Sequence, residues 1–338
     1  MTRPHEQLET EWAVFNGLNA SGMVCCSSGS AALHLALEAL QLPPGSEVIV
    51  PNLTMVACPR AVVLAGLAPV FVDCGEDLLI DQNLAMDAFS EYRPDACALM
   101  IVHIYGRAAD MTRLQQTVVD CNDCLVIEDL AEAHGVRPHP QTDAACWSFY
   151  RNKIVAGEEG GAVWFRDPDH ARLARSLRCL GFTEEHDFMH APRGHNYRMS
   201  DAHARLVLDS LAPNQVKDNL AIRRTIEANY NRHCPVEWRM PPRDVPWVYD
   251  LRLPGITQEQ QTTAVRALQR AGYQARHAFK PMHLQEEFKG CRLVGSNNAL
   301  KVAREVIYLP LDPGRHTYAS ADDFPRPFEV IRGVLDPP

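Results

Sequence analysis

Cys124-Leu125-Val126-Ile127-Glu128-Asp129 runs from apolar residues straight into two carboxylates. A run with no polar alternation has no solvent face. It reads as a strand covered on both sides, and hence as part of a mainly parallel sheet between helices. Similar runs recur at residues 23–26, 47–51, 68–73, 96–105, 146–150 and 161–165. Helical spacing fills the intervals at 30–40 and 59–67, and Pro43-Pro44-Gly45 stops the first of these helices. His103, Asp129 and Ser148 fall at run ends. In open α/β sheets, ligands bind beyond the carboxyl ends of the strands.

The remaining chain supports two units. Ser200 or Asp201 caps a long helical stretch, interrupted near Pro213 and running to about residue 233. A proline-rich segment at 235–246 follows. A strand near 248–253 and helices at 258–271 and 297–306 then begin a smaller unit. The expected division is 1–210, a large α/β domain, and 211–338, an interdomain helix with a small C-terminal α+β domain.

The 338 residues carry a net charge of −9, and no basic run suggests nucleic acid. No apolar stretch approaches the ~20 residues that span a bilayer, and no signal pattern opens the chain, so a cytoplasmic location is expected. The 11 cysteines read as reduced thiols. Cys121 and Cys124 form one Cys-x-x-Cys without a second pair at metal-site spacing, so no metal is expected.

Three features carry chemistry. Ser27-Ser28-Gly29-Ser30-Ala31-Ala32 links a strand to a helix, where small residues let backbone N–H groups face an anion. Asp129 ends a buried run and calls for a cationic partner. Lys153 follows a strand and precedes Gly157-Glu158-Glu159-Gly160-Gly161. Burial there would lower its pKa and expose a nucleophilic amine. Each feature alone has an ordinary structural reading: a capped helix, a capping carboxylate, a solvated lysine. Together they supply what pyridoxal phosphate (PLP) requires: a phosphate anchor, a partner for the pyridine nitrogen and an amine. A Gly-x-Gly-x-x-Gly turn for a nicotinamide nucleotide is absent from the sequence.

In these motifs and their order the chain resembles the DegT/DnrJ/EryC1/StrS aminotransferases, a family that includes sugar-nucleotide aminotransferases. The resemblance runs from Ser28-Gly29-Ser30 through Pro51-Asn52-Leu53-Thr54, Pro69-Val70-Phe71-Val72-Asp73 and His103-Ile104-Tyr105-Gly106. It continues through Glu128-Asp129-Leu130-Ala131-Glu132, Ser148 to Lys153, Gly194-His195-Asn196-Tyr197-Arg198-Met199 and Phe279-Lys280-Pro281-Met282-His283.

The resemblance implies a fold-type-I PLP-dependent transferase that forms a homodimer with shared active sites. Lys153 would be the Schiff-base lysine and the acid–base catalyst, and Asp129 would pair with the pyridine nitrogen. Glu132 would pack against the ring. Gly29, Ser30, Ala31 and Ser148 would hold the phosphate, and Asn196 would reach the phosphate in the neighbouring subunit. Met55 stands where the family commonly has an aromatic stacking residue. Glu158 replaces a glycine, the 134–146 segment is short, and so is the lead-in before the first helix. Thr54, His103, Lys280 and His283 are substrate-side candidates. Arg276 and His277 extend that basic group toward a pyrophosphate. The implied reaction moves an amino group from an amino acid, glutamate, to a nucleotide-linked keto-sugar. A sugar deoxygenase or dehydratase and a non-catalytic PLP-binding regulatory protein are the alternatives. Family deoxygenases replace the lysine with histidine, whereas Lys153 is retained.

Overall fold

The computed structural model describes residues 2–91, 97–112, 124–182, 188–312 and 324–335. Residue 96, Cys121 of the Cys-x-x-Cys pair and the terminal 336–338 lie outside them.

Eight strands form one sheet: β1 (Met23–Cys26), β2 (Glu47–Pro51), β3 (Ala68–Val72), β4 (Cys97–Val102), β5 (Cys124–Asp129), β6 (Ala144–Ser148), β7 (Gly161–Phe165) and β10 (Leu293–Val294). Their order is β1-β7-β6-β5-β4-β2-β3-β10. Every neighbouring pair from β6 to β10 is parallel, and β7 runs antiparallel to both β1 and β6. The sheet is therefore mainly parallel, as the unbroken apolar runs require. Three further strands, β8 (Val248–Arg252), β9 (Arg276–His277) and β11 (Val306–Pro310), form an antiparallel sheet ordered β8-β11-β9.

The helices follow the capping signals. In α2 (Gly29–Ala39) the Ser28 hydroxyl accepts from the Ala31 N–H. Ser200 caps α6 (Asp201–Leu211), and Pro213 starts α7 (Pro213–His233), so the long helix is broken where the proline predicts. Thr257 and Gln260 form a capping box at α8 (Gln258–Arg270). α3 (Ala57–Leu64) begins earlier than its apolar pattern suggests, with Pro59 in the first turn where its missing N–H costs nothing. The strand expected at 146–150 lies at Ala144–Ser148, which leaves Tyr150 in the following loop. The remaining described helices are α1 (Pro4–Asn16), α4 (Gln82–Glu91), α5 (Pro168–Arg178), α9 (Asn298–Glu305) and α10 (Arg326–Leu335).

The residues after 211 supply the three-stranded sheet and also the edge strand β10 of the large sheet. A buried ion pair joins the two parts. Both guanidinium nitrogens of Arg107 bond the Asp250 carboxylate at 2.8 and 2.9 Å, and Arg243 donates to the same group at 2.6 Å. Breaking one partner would strand a buried charge, so the contact fixes how β8 approaches the large sheet. Among the described residues, nine cysteines are free and no helix is long and apolar enough to cross a membrane.

Candidate active site

A cavity of about 370 Å³ opens at the carboxyl ends of the large-sheet strands. Asp129 ends β5, Ser148 ends β6 and Gly29 begins α2, so sheet topology alone brings these three to one place. Lys153 enters from the β6–β7 connection.

Asp129 is buried and well supported. Its Oδ1 accepts from the Ala131 N–H at 2.9 Å, and its Oδ2 accepts from the Cys58 thiol at 3.1 Å. Burial and the Asp129 charge push the Cys58 thiol well up, which keeps it protonated and able to donate. Thr54 donates to Cys58 Sγ at 3.3 Å, so Thr54 acts on Asp129 through the thiol and lies behind the cavity wall.

Glu132 accepts the Tyr105 N–H at 2.8 Å, and its Oε1 lies 3.9 Å from Lys153 Nζ. Burial raises the Glu132 carboxyl to about 7, against the opposing pull of Lys153 and the Tyr105 N–H. Burial likewise lowers the Lys153 ammonium, against the attraction of Glu132 and Asp129. The same nitrogen sits 4.1 Å from the Trp247 ring centroid. The backbone just beyond Lys153 is fixed by His134, whose Nδ1 accepts from the Val155 N–H at 3.2 Å. Burial and nearby Lys153 drop the His134 imidazole to about 3, so it stays a neutral acceptor.

The helix N-terminus fits an anion only because the packing there is close. A Cβ on Gly29 would lie 2.7 Å from Ser148 Cβ. Gly29 thus lets the start of α2 meet the end of β6, and Ser30 opens on the same cavity. The Ala31 N–H is already used by the Ser28 cap, which leaves the earlier N–H groups for an anion. Met55 stands at the mouth, half exposed. The donor set, the buried carboxylate and the lysine fit PLP: the start of α2 would hold the phosphate, Asp129 would meet the pyridine nitrogen, and Lys153 would supply the amine.

The other candidates lie apart from this cavity. Both His103 ring nitrogens are engaged, one with Glu128 at 2.7 Å and one with the Ala109 N–H at 3.1 Å. His283 pairs with Asn52 at 3.0 Å, and Lys280 is exposed beside Gln258. Asn196 is exposed and lines a separate groove with Arg198 and Ser200. The sequence reading missed Cys58, Trp247 and Tyr308. Cys58 lies four residues after Thr54, a spacing that could have exposed it, whereas Trp247 and Tyr308 arrive from the far half of the chain.

The architecture is that of the fold-type-I PLP-dependent transferases. Across 99% of this chain and 92% of the other, it superposes on the aminotransferase TlmJ from Streptoalloteichus hindustanus with a TM-score of 0.86, at 23% identity. Within that class, the chain belongs to the DegT/DnrJ/EryC1/StrS aminotransferase family, whose model matches residues 3–320. It is 32% identical to the GDP-perosamine synthase of Caulobacter vibrioides over 97% of this chain and 90% of that one. It is 34% identical to the dTDP-3-amino-3,4,6-trideoxy-alpha-D-glucose transaminase of Micromonospora megalomicea over 67% of this chain and 60% of that one. The aminotransferase expectation holds, and neither alternative is favoured.

Proposed function

We propose that this chain uses PLP to move an amino group from an amino acid, glutamate, to the keto group of a nucleotide-linked sugar. The observation that carries the reading is Lys153. Its amine is buried in one cavity with Asp129 and the start of α2, and burial biases it toward the neutral form. PLP, when bound, supplies an electron sink for negative charge at the reacting carbon. Gly29, Ser30 and Ser148 hold its phosphate, and Asp129 keeps the ring nitrogen protonated. Lys153 Nζ binds the cofactor and carries the proton between substrate carbon and nitrogen. Glu132, raised to about 7, takes up or returns a proton near Lys153 at neutral pH.

The acceptor enters past Met55. A smaller groove shares Asn152, Trp247 and Tyr308 with the cavity and carries Arg223 and Arg276, which suit phosphate oxygens. The named relatives act in nucleotide-sugar chemistry, with different nucleotides. Asn196 lies outside the Lys153 cavity of its own chain, which supports a homodimer in which it serves the partner's cofactor. The free cysteines support a reducing, cytoplasmic setting.

The test is Lys153→Ala. The purified variant should lack the visible absorbance band of the holoprotein and its change on adding glutamate. An unchanged spectrum and an unchanged response would overturn the assignment.

A further inference from the structure

His34, Glu38 and His195 converge outside the cavity, and the transamination uses none of them. His34 and Glu38 are four residues apart on α2, so they share one helix face. His195 comes from the loop before α6, and its ring lies 4.8 Å from that of His34. The ligand atoms of all three lie within 4.8 Å of one another.

The surroundings favour a bound cation over a simple cluster. His34 is 4% exposed, and its Nε2 has no hydrogen-bond partner. Its Nδ1 meets the Tyr197 hydroxyl at 3.1 Å. In the tautomer with Nδ1 donating there, Nε2 would present a lone pair toward Glu38 Oε1, 3.9 Å away, and a cation between them would satisfy both acceptors. An imidazole whose other nitrogen is engaged is also the usual arrangement of a metal-binding histidine.

His195 Nε2 lies 2.5 Å from Glu38 Oε2. Its backbone is pinned on both sides, since its N–H donates to Leu177 O and its carbonyl accepts from the Leu180 N–H. The ring also stacks on Tyr197 at 4.7 Å. The His195 side chain is 26% exposed, which leaves an entry path and room for a water as a fourth ligand.

We propose that His34, Glu38 and His195 bind one divalent transition-metal ion of the zinc type. Two imidazoles and one carboxylate with an open fourth position suit Zn²⁺. The ion would clamp α2, whose N-terminus faces the cavity, to the loop that carries Asn196. The sequence hides the site because His195 is 157 residues from Glu38.

The test titrates the tag-free, chelator-treated holoprotein with Co²⁺ and then Zn²⁺. Expected is a visible ligand-field band at one Co²⁺ per chain that Zn²⁺ displaces. His195→Gln and Glu38→Gln should each weaken Zn²⁺ by more than about a hundredfold, and Tyr197→Phe by about ten- to a hundredfold. His195 is partly exposed, so its variant tests the site even where a change at buried Glu38 impairs folding. No band, a band with thiolate charge-transfer character, or equal affinity in His195→Gln and the parent would overturn the proposal.

Discussion

Asp129 and Glu132 are 6% and 8% exposed, whereas Met55 at the mouth of the same cavity is 49% exposed. The inner wall is made of strand and helix ends whose polar atoms are paired with one another. The rim is exposed at Met55, and beyond it lie side chains that face solvent, such as Lys280 on a loop and Arg276 on β9. A buried carboxylate holds its place because losing its partners is expensive. An exposed lysine can change with little effect on the fold. On the proposed function, the wall would carry the chemistry common to the family, and the rim would be free to select the acceptor.

The strongest challenge to that division is Asp129→Asn. The amide keeps a contact with the Ala131 N–H but removes the charge. Turnover in the glutamate half-reaction should fall about a hundred- to ten-thousandfold, the scale of losing a positioned acid–base group. A loss below tenfold in stopped-flow traces would remove Asp129 from the wall's chemistry.

Glu132 sharpens the comparison through pH. The folded carboxyl keeps its proton to about 7, while the unfolded chain releases it near 4.5. The folded state thus binds more protons in that window, and stability falls as pH rises through it. Relative to Glu132→Gln, the apoprotein should lose up to about 3 kcal/mol between those values, read from urea unfolding at each pH. A pH-independent difference between the two proteins would contradict the raised carboxyl.

Glu158 has φ +64°, in the left-handed region that favours glycine. Glu158→Gly should stabilise the protein by about 1 kcal/mol or less, since relief of strain outweighs an exposed contact with Arg151 at 3.4 Å. A lower melting temperature in the variant would mean that this contact dominates.

The smallest effect is expected beyond the rim, at residues that do not line the cavity. Lys280→Ala and His283→Ala should raise KM for a sugar nucleotide by roughly threefold to tenfold, the scale of a weak, partly exposed contact. The glutamate half-reaction should be unchanged. A slowed half-reaction in either variant would place the residue in the wall instead.

The wall was legible and the rim was not, for physical reasons. Buried strands such as Cys124–Asp129 must be apolar on both faces, so the acids at their ends stand out. Ser28 as a cap and Pro213 as a break follow local rules, and both appear as expected. The two-residue strands β9 and β10 carry no period to read, and they exist only because of their neighbours. Helix α1 was also missed, with Arg3 as an unusual cap and charged residues through its length. Trp247 reaches Lys153 only through tertiary packing, and so nothing near Lys153 in the sequence announces it. His103 shows the opposite case: a conspicuous strand-end histidine, open in the sequence to a substrate or a structural role, that the fold pairs with buried Glu128.

Lys153 sits on the excursion between β6 and β7, which pair antiparallel with Ser148 opposite Gly161. The excursion is closed at its base, where the Phe149 N–H reaches Gly160 O at 2.8 Å and the Gly157 N–H reaches Phe149 O at 2.8 Å. The Lys153 amine is thus mounted on a cartridge whose two ends lock to each other. An engineer could lengthen the excursion at its exposed positions, residues 150–151 and 158–159, to change the amine's reach, because loop length adds only slowly to the closure cost, whereas Phe149, Ile154 and Val155 are packed in the core and must stay.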